Sequence, residues 1–291
     1  MPELPEVEIV RQSLLKNIKG KKINKVLVRN RNLRFKLKPY FEDKLKNQFI
    51  SNIQRFSKYI IIMLQNKSFC VIHLGMSGTI HVIKRKKKSL FTNTSFYHSP
   101  ILPKKHNHIE FFFNDIKLIY NDPRRFGYFK ILNNKYEFDN YFTRIGPEAL
   151  DKRFNLIYLE NKVKNKKKNI KNLLLDQKIV SGIGNIYANE ILYKSQISPY
   201  KSVKKLTSLE LVKIIKFSRI ILKSAIKFGG SSIRDFKGVS GGGGSFQTKF
   251  TVYNRENKKC IKSNCKGIIQ KRYISNRSTF ICNFCQIKKK H

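Results

Sequence analysis

The first eight residues, Met1 to Glu8, combine a potential nucleophile with carboxylates that could move protons. Removal of Met1, which a small second residue usually permits, would leave Pro2 as a secondary amine at the chain terminus. An α-amino group titrates near ~8, so a useful fraction is unprotonated at neutral pH and could form an iminium with a sugar carbon. Glu3 could protonate a leaving oxygen or shuttle protons. Taken alone, the segment is more typical of a helix start, with Pro5 in the first turn and acidic side chains near the positive end of the helix dipole.

Four cysteines near the C-terminus have the spacing of a metal site. Cys260 and Cys265 form a C-x4-C pair, and after a gap of sixteen residues Cys282 and Cys285 form a C-x2-C pair. Two such pairs would hold one zinc ion in a closed tetrahedron, which is a structural site without an open position for catalysis. Two disulfides are the alternative, but acidic residues interrupt the N-terminus before any apolar core, so no signal peptide is predicted. The fifth cysteine, Cys70, lies in an apolar run and is predicted to be a buried thiol.

The charge of the chain indicates a polyanionic partner. Lys and Arg number 61 and Asp and Glu 18 among 291 residues, a formal net charge of +43, which is typical of nucleic-acid-binding proteins. The abundance of Lys together with Asn and Ile indicates that part of this excess is compositional drift from an AT-rich coding sequence. No apolar stretch approaches the ~18 residues of a membrane span. A soluble, intracellular nucleic-acid-binding protein is therefore predicted, with no membrane partner.

Hydrophobic periodicity predicts a β-rich first half behind an opening helix. Leu4, Val7, Val10 and Leu14 share one helical face. Runs of β-forming residues follow, and Asn114-Asp115 between two of them predicts a tight hairpin. The predicted strands span 25–28, 59–64, 69–74, 79–83, 109–113 and 116–120.

The second half is predicted to be helical and to end in the cysteine module. Thr207-x-x-Glu210 is a capping box before a long apolar pattern that Gly229-Gly230 would stop. The basic run from Lys162 to Lys168 is predicted to be a solvated helix start. The fold class is α+β with several domains: a β-rich domain at 1–134, a linker at 135–150, a helical domain at 151–235, a glycine-rich loop at 236–250 and the cysteine module at 251–291.

Three further motifs carry a family resemblance: H-L-G-M-S-G at 73–78, D-P-R-R-F-G at 122–127 and G-I-G-N-I-Y-A at 182–188. With the N-terminus and the cysteine module, they make nearly the whole chain similar to the bacterial formamidopyrimidine-DNA glycosylase family. Leu4 resembles this branch more than the endonuclease VIII branch, which usually has glycine there. The resemblance implies an N-terminal β-sandwich-like domain, a helix-two-turn-helix domain and a C-terminal zinc-finger β-hairpin.

The resemblance also implies an enzyme of base excision repair. Members of the family excise oxidised purines such as 8-oxoguanine and formamidopyrimidines from double-stranded DNA, then cleave the strand at the AP site by β- and δ-elimination. Pro2 would attack C1′ of the deoxyribose and Glu3 would assist ring opening and proton transfer. Lys58 would contact phosphate near the reacting sugar, and Glu6 would support the site.

A base inside a duplex must first be turned out of the stack, at a cost of a few kcal/mol. The resemblance assigns the filling of the resulting void to Met76, Arg124 and Phe126, which offer an adaptable apolar wedge, a guanidinium fork for the orphaned base and a flat ring. Without the resemblance, Met76 would be interpreted as a core residue and Arg124 as a surface cation.

DNA contacts are predicted at Arg124 and at four further positions, His106, Lys167, Asn185 and Arg277. The Gly182-x-Gly184 turn could present amides to a phosphate at the start of a helix, and Asn185 there would work with Lys58 and with Arg277 at the tip of the zinc-finger hairpin. His106 and Lys167 are further predicted contacts, although His73, His106 and His108 could equally be structural histidines. The predicted protein is a monomer with one Zn²⁺ and no obligatory protein partner, located in the bacterial cytoplasm and associated with the nucleoid.

The chain departs from the family in two places. Its first cysteine pair is C-x4-C where the family commonly has C-x2-C, so the knuckle is expected to bulge. Ser240–Ser245 is almost all glycine, which leaves little but amides and Phe246 to read an extruded base. Two other functions stay open: an endonuclease VIII-like glycosylase for oxidised pyrimidines, and a non-catalytic zinc-ribbon protein that only binds nucleic acid.

Overall fold

The computed structural model describes residues 1–84, 90–91, 103–164, 166–231 and 245–287. These residues form two compact units. The first comprises Met1–Thr143 and the described part of Phe228–Ser245, and the second comprises Arg144–Lys227 and the described part of Phe246–His291. The domain boundaries at 134, 150, 235 and 250 stay predictions, and residues 236–244 of the glycine-rich loop lie outside the described residues.

The first unit consists of an opening helix and two antiparallel sheets. The elements are α1 (Leu4–Ile18), β1 (Lys25–Val28), α2 (Phe41–Leu45), β2 (Ile50–Phe56), β3 (Tyr59–Leu64), β4 (Phe69–His73), β5 (Thr79–Lys84), β6 (Leu90–Phe91), β7 (Asn107–Phe112), β8 (Ile116–Asn121), β9 (Tyr128–Leu132) and α3 (Lys135–Phe142). One sheet has the strand order β1-β7-β8-β5-β6 and the other has the order β2-β3-β4-β9.

Both sheets and the opening helix share one hydrophobic core. The predicted face of α1 is buried, and the core also contains Ile53 and Ile60 of one sheet and Ile80 and Ile109 of the other. Each such side chain stabilises the fold by about 1.5–3 kcal/mol. Cys70 is fully buried, and burial raises the pKa of its thiol to about 12. The β-rich domain with a leading helix and the buried thiol are therefore confirmed.

The predicted hairpin at Asn114-Asp115 is also confirmed. Strands β7 and β8 pair antiparallel on either side of it, and the Phe113 N–H donates to the Ile116 carbonyl oxygen at 2.9 Å. The hairpin matters for function because β8 leads directly into the D-P-R-R-F-G motif.

The second unit is helical and ends in a two-stranded hairpin. The capping box of its longest helix is present, because the Thr207 N–H donates to Glu210 Oε2 at 2.9 Å and the Glu210 N–H donates to Thr207 Oγ1 at 3.3 Å. None of the helices that the structure describes is long and apolar enough to cross a membrane. The elements are α4 (Leu156–Val163), α5 (Ile170–Leu175), α6 (Asn185–Ser195), α7 (Ser208–Lys227), β10 (Ile269–Ile274) and β11 (Arg277–Cys282).

The basic run from Lys162 to Lys168 does not start a helix, so that prediction was wrong. Helix α4 ends at Val163, and α5 begins only at Ile170. The start of α5 is set by Asn169, whose side-chain oxygen accepts a hydrogen bond from the Asn172 N–H at 2.9 Å. Asparagine is a preferred N-cap because it satisfies one of the first unpaired amides of a helix. The capping side chain, and not the charge run, defines the boundary.

Candidate active site and nucleic-acid contacts

The N-terminus of α1 is built around two buried carboxylates. Glu3 is 2% exposed and Glu6 is 3% exposed. Glu6 Oε2 accepts a hydrogen bond from the Glu3 N–H at 2.9 Å, while its Oε1 accepts from the N–H and Oγ of Ser231 at 2.8 and 2.9 Å. Glu6 therefore fixes the backbone one residue after Pro2 and ties it to the segment that follows α7.

The terminal amine next to these carboxylates has a lowered pKa. Burial of the Met1 amino group is the largest cause, and the positive charges of Lys58 and Arg124 act in the same direction, whereas Glu3 and Glu6 oppose them. A lower pKa increases the unprotonated, nucleophilic fraction at neutral pH. Pro2 is half-buried beside the same groups. Removal of Met1 would therefore place the new amine in surroundings that favour its reactive form.

Lys58 is positioned by the turn between two strands. Ser57 and Lys58 form the two-residue connection between β2 and β3. The residues on either side of it, Phe56 and Tyr59, are paired across the two strands. Ser57 takes the left-handed conformation, with φ of 56°, which a two-residue hairpin turn commonly requires. Lys58 is only 6% exposed, so the turn delivers a cationic side chain to the interior near the terminal amine.

Met76, Arg124 and Phe126 lie on two neighbouring loops of the first unit. Met76 is in the connection between β4 and β5 and is 42% exposed, and Phe126 lies between β8 and β9 and is 39% exposed. The Arg124 guanidinium carbon is 4.7 Å from the centroid of the Phe126 ring, a cation–π distance. The interpretation of Met76 as a core residue is wrong: its loop presents this apolar side chain to solvent.

The three histidines have different surroundings. His73 Nδ1 accepts a hydrogen bond from the Gly75 N–H at 3.1 Å, and burial lowers its pKa to about 4, so His73 is neutral. His108 is 2% exposed and its Nε2 lies 2.7 Å from the Asp122 carbonyl oxygen. Both rings thus make hydrogen bonds within the first unit. His106 is half-buried, with a pKa that burial lowers, and stays a candidate DNA contact.

In the second unit, the predicted phosphate-binding residues lie on α6 and β11. Asn185 is the first residue of α6, and its Nδ2 donates to the Ser278 carbonyl oxygen at 3.0 Å. Arg277 is exposed at the start of β11, directly after a turn in which Ser275 and Asn276 have φ of 48° and 58°. Lys167 is exposed between α4 and α5. The structure thus brings Asn185 and the strand of Arg277 together.

Lys171 is a residue that sequence reasoning missed. Its side chain is fully buried in the second unit, and its Nζ donates to the Ser278 carbonyl oxygen at 2.8 Å and to Thr279 Oγ1 at 2.7 Å. A buried ammonium group is tolerated only when its donors are used. Lys171 and Asn185 therefore fix the start of β11 next to Arg277. Nothing in the sequence separates this lysine from the many solvated ones.

Phe246 was predicted to help read an extruded base, but the structure buries its side chain. It is 5% exposed, and its ring centroid lies 5.9 Å from that of Tyr187 and 5.8 Å from that of Phe250. The aromatic side chain thus contributes to the core of the second unit. The glycines that precede it, Gly241–Gly244, lie outside the described residues.

The four cysteines of the C-terminal module form one cluster that could hold a metal ion. Their sulfur atoms all lie within 4.8 Å of one another, with Cys260 and Cys285 at 4.0 Å and Cys265 and Cys282 at 3.6 Å. Four thiolates about 2.3 Å from one zinc ion would stand about 3.8 Å apart, whereas a disulfide needs about 2.05 Å. The donor set therefore fits a tetrahedral metal site and not two disulfides.

The longer first pair is accommodated within its own turn. Asn264, directly before Cys265, takes the left-handed conformation with φ of 58°, which asparagine tolerates better than most residues. The Cys260 N–H donates to the Gly267 carbonyl oxygen at 2.9 Å. Tyr193 lies with its hydroxyl 3.0 Å from Cys260 Sγ, a hydrogen bond of the kind that orients metal ligands. The C-x4-C spacing is therefore compatible with a closed cluster.

A DNA-modifying enzyme that works through its own terminal amine needs such an amine with a lowered pKa, an exposed wedge to occupy the stack and cationic groups for the backbone. The described residues of the two units include groups of each kind, as expected of the class of DNA glycosylases with an N-terminal nucleophile.

Comparison with known proteins identifies the family within this class. Residues 1–129 match the formamidopyrimidine-DNA glycosylase N-terminal domain, and residues 145–237 match the formamidopyrimidine-DNA glycosylase H2TH domain. The chain belongs to the formamidopyrimidine-DNA glycosylase family, as the sequence motifs indicated.

Individual relatives cover the chain almost completely. The formamidopyrimidine-DNA glycosylase of Wolbachia sp. subsp. Drosophila simulans (strain wRi) is 40% identical over 287 residues, 98% of this chain and 100% of the relative. The Lactococcus lactis enzyme, bound non-covalently to DNA containing an AP site, superposes with a TM-score of 0.84 at 30% identity and covers 98% of this chain and 100% of its own. MutM in complex with DNA containing carbocyclic 8-oxo-G gives a TM-score of 0.86 at 32% identity, with 99% and 100% covered.

Proposed function

We propose that this protein is a bifunctional DNA glycosylase and AP lyase of base excision repair that removes oxidised purines, 8-oxoguanine and formamidopyrimidines, from double-stranded DNA. The observation that carries the proposal is the N-terminus of α1, where Pro2 adjoins the buried side chains of Glu3, Glu6 and Lys58 in surroundings that lower the pKa of the Met1 amine. Its membership of the family supports the same reaction, and the relatives that were solved with AP-site and 8-oxo-G DNA support the substrate class.

In this mechanism, the lone pair of the Pro2 nitrogen attacks C1′ of the damaged nucleotide. The bond from C1′ to the base breaks with its electron pair leaving on the base, which takes a proton from water. Glu3 then carries the proton of the Pro2 nitrogen to O4′ as the C1′–O4′ bond breaks and the sugar ring opens. The product is an iminium between Pro2 and C1′. The iminium acidifies C2′, so loss of a proton there expels the 3′ phosphate, and a second elimination expels the 5′ phosphate. Water then releases the enzyme from the sugar fragment.

Substrate binding uses residues of both units. Met76, Arg124 and Phe126 fill the gap left by the extruded nucleotide, with Arg124 facing the orphaned base. Lys58 binds phosphate next to the reacting sugar. The remaining backbone contacts come from His106, Lys167, Asn185 and Arg277, which carry no base information but fix the register of the duplex.

The cysteine cluster holds one zinc ion in this proposal. Cys260, Cys265, Cys282 and Cys285 are its ligands, and the closed sulfur tetrahedron leaves no position for substrate. When bound, the ion stabilises the hairpin that carries Arg277 and supplies no chemistry to bond breaking. The enzyme acts as a monomer in the bacterial cytoplasm, in association with the nucleoid, and needs no obligatory protein partner.

Duplex affinity should depend steeply on salt. Neutralising ~6 phosphates releases their counterions, so log K should fall by about five units for each tenfold rise in salt concentration. Fluorescence anisotropy with a labelled duplex that carries an uncleavable abasic analogue would measure the slope. Arg277→Gln should reduce that slope by about one unit, because one phosphate contact is lost. A flat salt response would contradict binding through cationic groups.

The substrate class is tested by borohydride trapping on matched duplexes. One carries 8-oxoguanine opposite cytosine and the other carries thymine glycol opposite adenine. Since borohydride reduces the iminium to a stable amine, a covalent protein–DNA adduct should form mainly on the 8-oxoguanine duplex. An adduct mainly on thymine glycol would assign the protein to the pyrimidine-lesion branch. Absence of an adduct on either duplex, with intact DNA binding, would favour a protein that only binds nucleic acid.

A further inference from the structure

Asp122 is a buried carboxylate that the mechanism above does not use. It directly follows β8 and is fully buried. Its Oδ1 accepts hydrogen bonds from Ser77 Oγ at 2.5 Å and from the Arg124 N–H at 3.2 Å. Its Oδ2 accepts from the Tyr120 hydroxyl and from the Gly127 N–H, each at 2.9 Å. Four donors therefore converge on one side chain.

Three of these donors come from the two loops that carry the void-filling residues, and the fourth, Tyr120, lies on β8. Arg124 and Gly127 belong to the D-P-R-R-F-G loop, which also contains Phe126. Ser77 belongs to the other loop and directly follows Met76. The Arg124 N–H also lies 3.3 Å from Ser77 Oγ. Asp122 and Ser77 thus join the backbone of the D-P-R-R-F-G loop to the other loop, at the residue that directly follows Met76.

The loop backbones also touch without intervening side chains. A Cβ on Gly75 would lie 2.4 Å from the Gly127 nitrogen and 2.4 Å from the Phe126 carbonyl carbon. Gly75 also has φ of +66°, which favours glycine. This contact fixes how closely the loops approach, but it gives no polar attraction between them. Among the described residues, Ser77 supplies the side-chain hydrogen bond from the Met76 loop to Asp122.

We propose that Asp122 is a positioning residue. Through its hydrogen bond with Ser77 it holds the two loops in a fixed arrangement, so that Met76, Arg124 and Phe126 act as one rigid wedge. This inference rests on the proposed void-filling function of Met76, Arg124 and Phe126. Hydrogen bonds to a charged acceptor in a buried site are strong and directional. A wedge that is already ordered loses less conformational freedom when it enters the duplex. The coupling therefore favours base extrusion and leaves the chemistry at Pro2 unchanged.

The test compares two hydroxyl deletions on the same carboxylate. Ser77→Ala breaks the hydrogen bond between the loops, whereas Tyr120→Phe breaks the one from the strand that precedes Asp122 and keeps the link to Ser77. Single-turnover excision of 8-oxoguanine from a duplex should fall about tenfold in Ser77→Ala. It should stay within about twofold of the unmodified chain in Tyr120→Phe, and Ser77→Thr should restore the rate because it keeps the hydroxyl.

Two further readouts separate positioning from a general loss of structure. Cleavage of an AP site in single-stranded DNA needs no wedge, so Ser77→Ala should leave that rate within about twofold. Phe126→Ala should slow duplex excision by a smaller factor in the Ser77→Ala background than alone, since coupled residues are not additive. Equal losses in Ser77→Ala and Tyr120→Phe, or strictly multiplicative effects of Ser77→Ala and Phe126→Ala, would overturn the inference.

Failure of the underlying function would look different. If Met76→Ala and Phe126→Ala both left duplex excision unchanged, the void-filling assignment itself would be wrong. If both slowed excision while Ser77→Ala did not, the wedge would stand and only the coupling through Asp122 would be excluded.

Discussion

One extra residue retained ahead of Pro2 should abolish covalent trapping on damaged DNA. The extension converts the secondary amine into an amide, whose nitrogen lone pair is delocalised and not nucleophilic. The borohydride-trapped adduct and the lyase product should each fall by on the order of 10³-fold or more, because the amine of the extra residue is displaced from the position of the Pro2 nitrogen and does not reach C1′ in the geometry that the reaction needs. Gel separation of the adduct on an 8-oxoguanine duplex would measure the loss.

A second variant separates the amine from the shape of the N-terminus. Pro2→Gly keeps a terminal amine but loses the fixed ring, so its adduct should be sharply reduced without the complete loss expected for the blocked chain. Both proteins should bind an abasic-analogue duplex within a few-fold of the unmodified chain, since the amine contributes little to phosphate contacts. Full activity of the blocked chain would exclude Pro2 as the nucleophile.

The sequence predicted the elements that carry the site because their patterns are local. The buried face of α1 repeats with helical period, and the β7–β8 hairpin is marked by two turn-forming residues between β-rich runs. Lys58 and Arg277 both lie at two-residue turns, and such turns place a side chain by backbone geometry alone. The family resemblance predicted the roles of these two residues, and the turns explain how the chain places their side chains.

The remaining features depend on contacts that sequence patterns do not record. Lys171 and Asp122 are buried charges whose partners lie far away along the chain or on another loop, so neither could be distinguished from its solvated equivalents. Met76 was interpreted as a core residue because methionine side chains are usually buried, but its loop exposes this side chain to solvent. Phe246 looked available because glycines precede it, yet three aromatic rings meet in the core that it occupies. Tertiary packing decides whether a side chain is buried, and the patterns in a single sequence do not reveal that packing.

Loss of one cysteine ligand should remove the metal and weaken DNA binding through the second unit. Cys282 is fully buried at the end of β11, the strand that begins with Arg277. The hydrophobic cluster beneath this hairpin is small, and its buried members are Tyr193, Val252, Cys260, Ile269, Phe280 and Cys282. A core of that size does not fold a hairpin by itself, whereas a structural zinc ion contributes about 10–16 kcal/mol in isolated fingers.

Cys282→Ser should therefore reduce bound zinc from about one ion per chain to near zero, measured by atomic emission after dialysis. Duplex affinity should fall by at least about tenfold, because β11 would no longer hold Arg277 beside Asn185 and Lys171. Cys70→Ala is the matched control, since it removes a buried thiol from the first unit and should leave the zinc content unchanged. Retention of zinc and of duplex affinity by Cys282→Ser would contradict a four-cysteine site.

Tyr193→Phe tests the same cysteine site without removing one of its four ligands. It removes the hydroxyl that lies 3.0 Å from Cys260 Sγ and keeps all four thiolates. Loss of an outer hydrogen bond commonly lowers metal affinity by about 10–100-fold, so zinc should transfer to a chelator faster while the isolated protein still contains one ion. This graded result, between the unmodified chain and Cys282→Ser, would tie the stability of the hairpin to the metal and not to the presence of cysteine side chains. The second unit would then need the zinc ion to hold Arg277 in position for DNA. In the first unit, the buried carboxylates of Glu3 and Glu6 hold Pro2 in position.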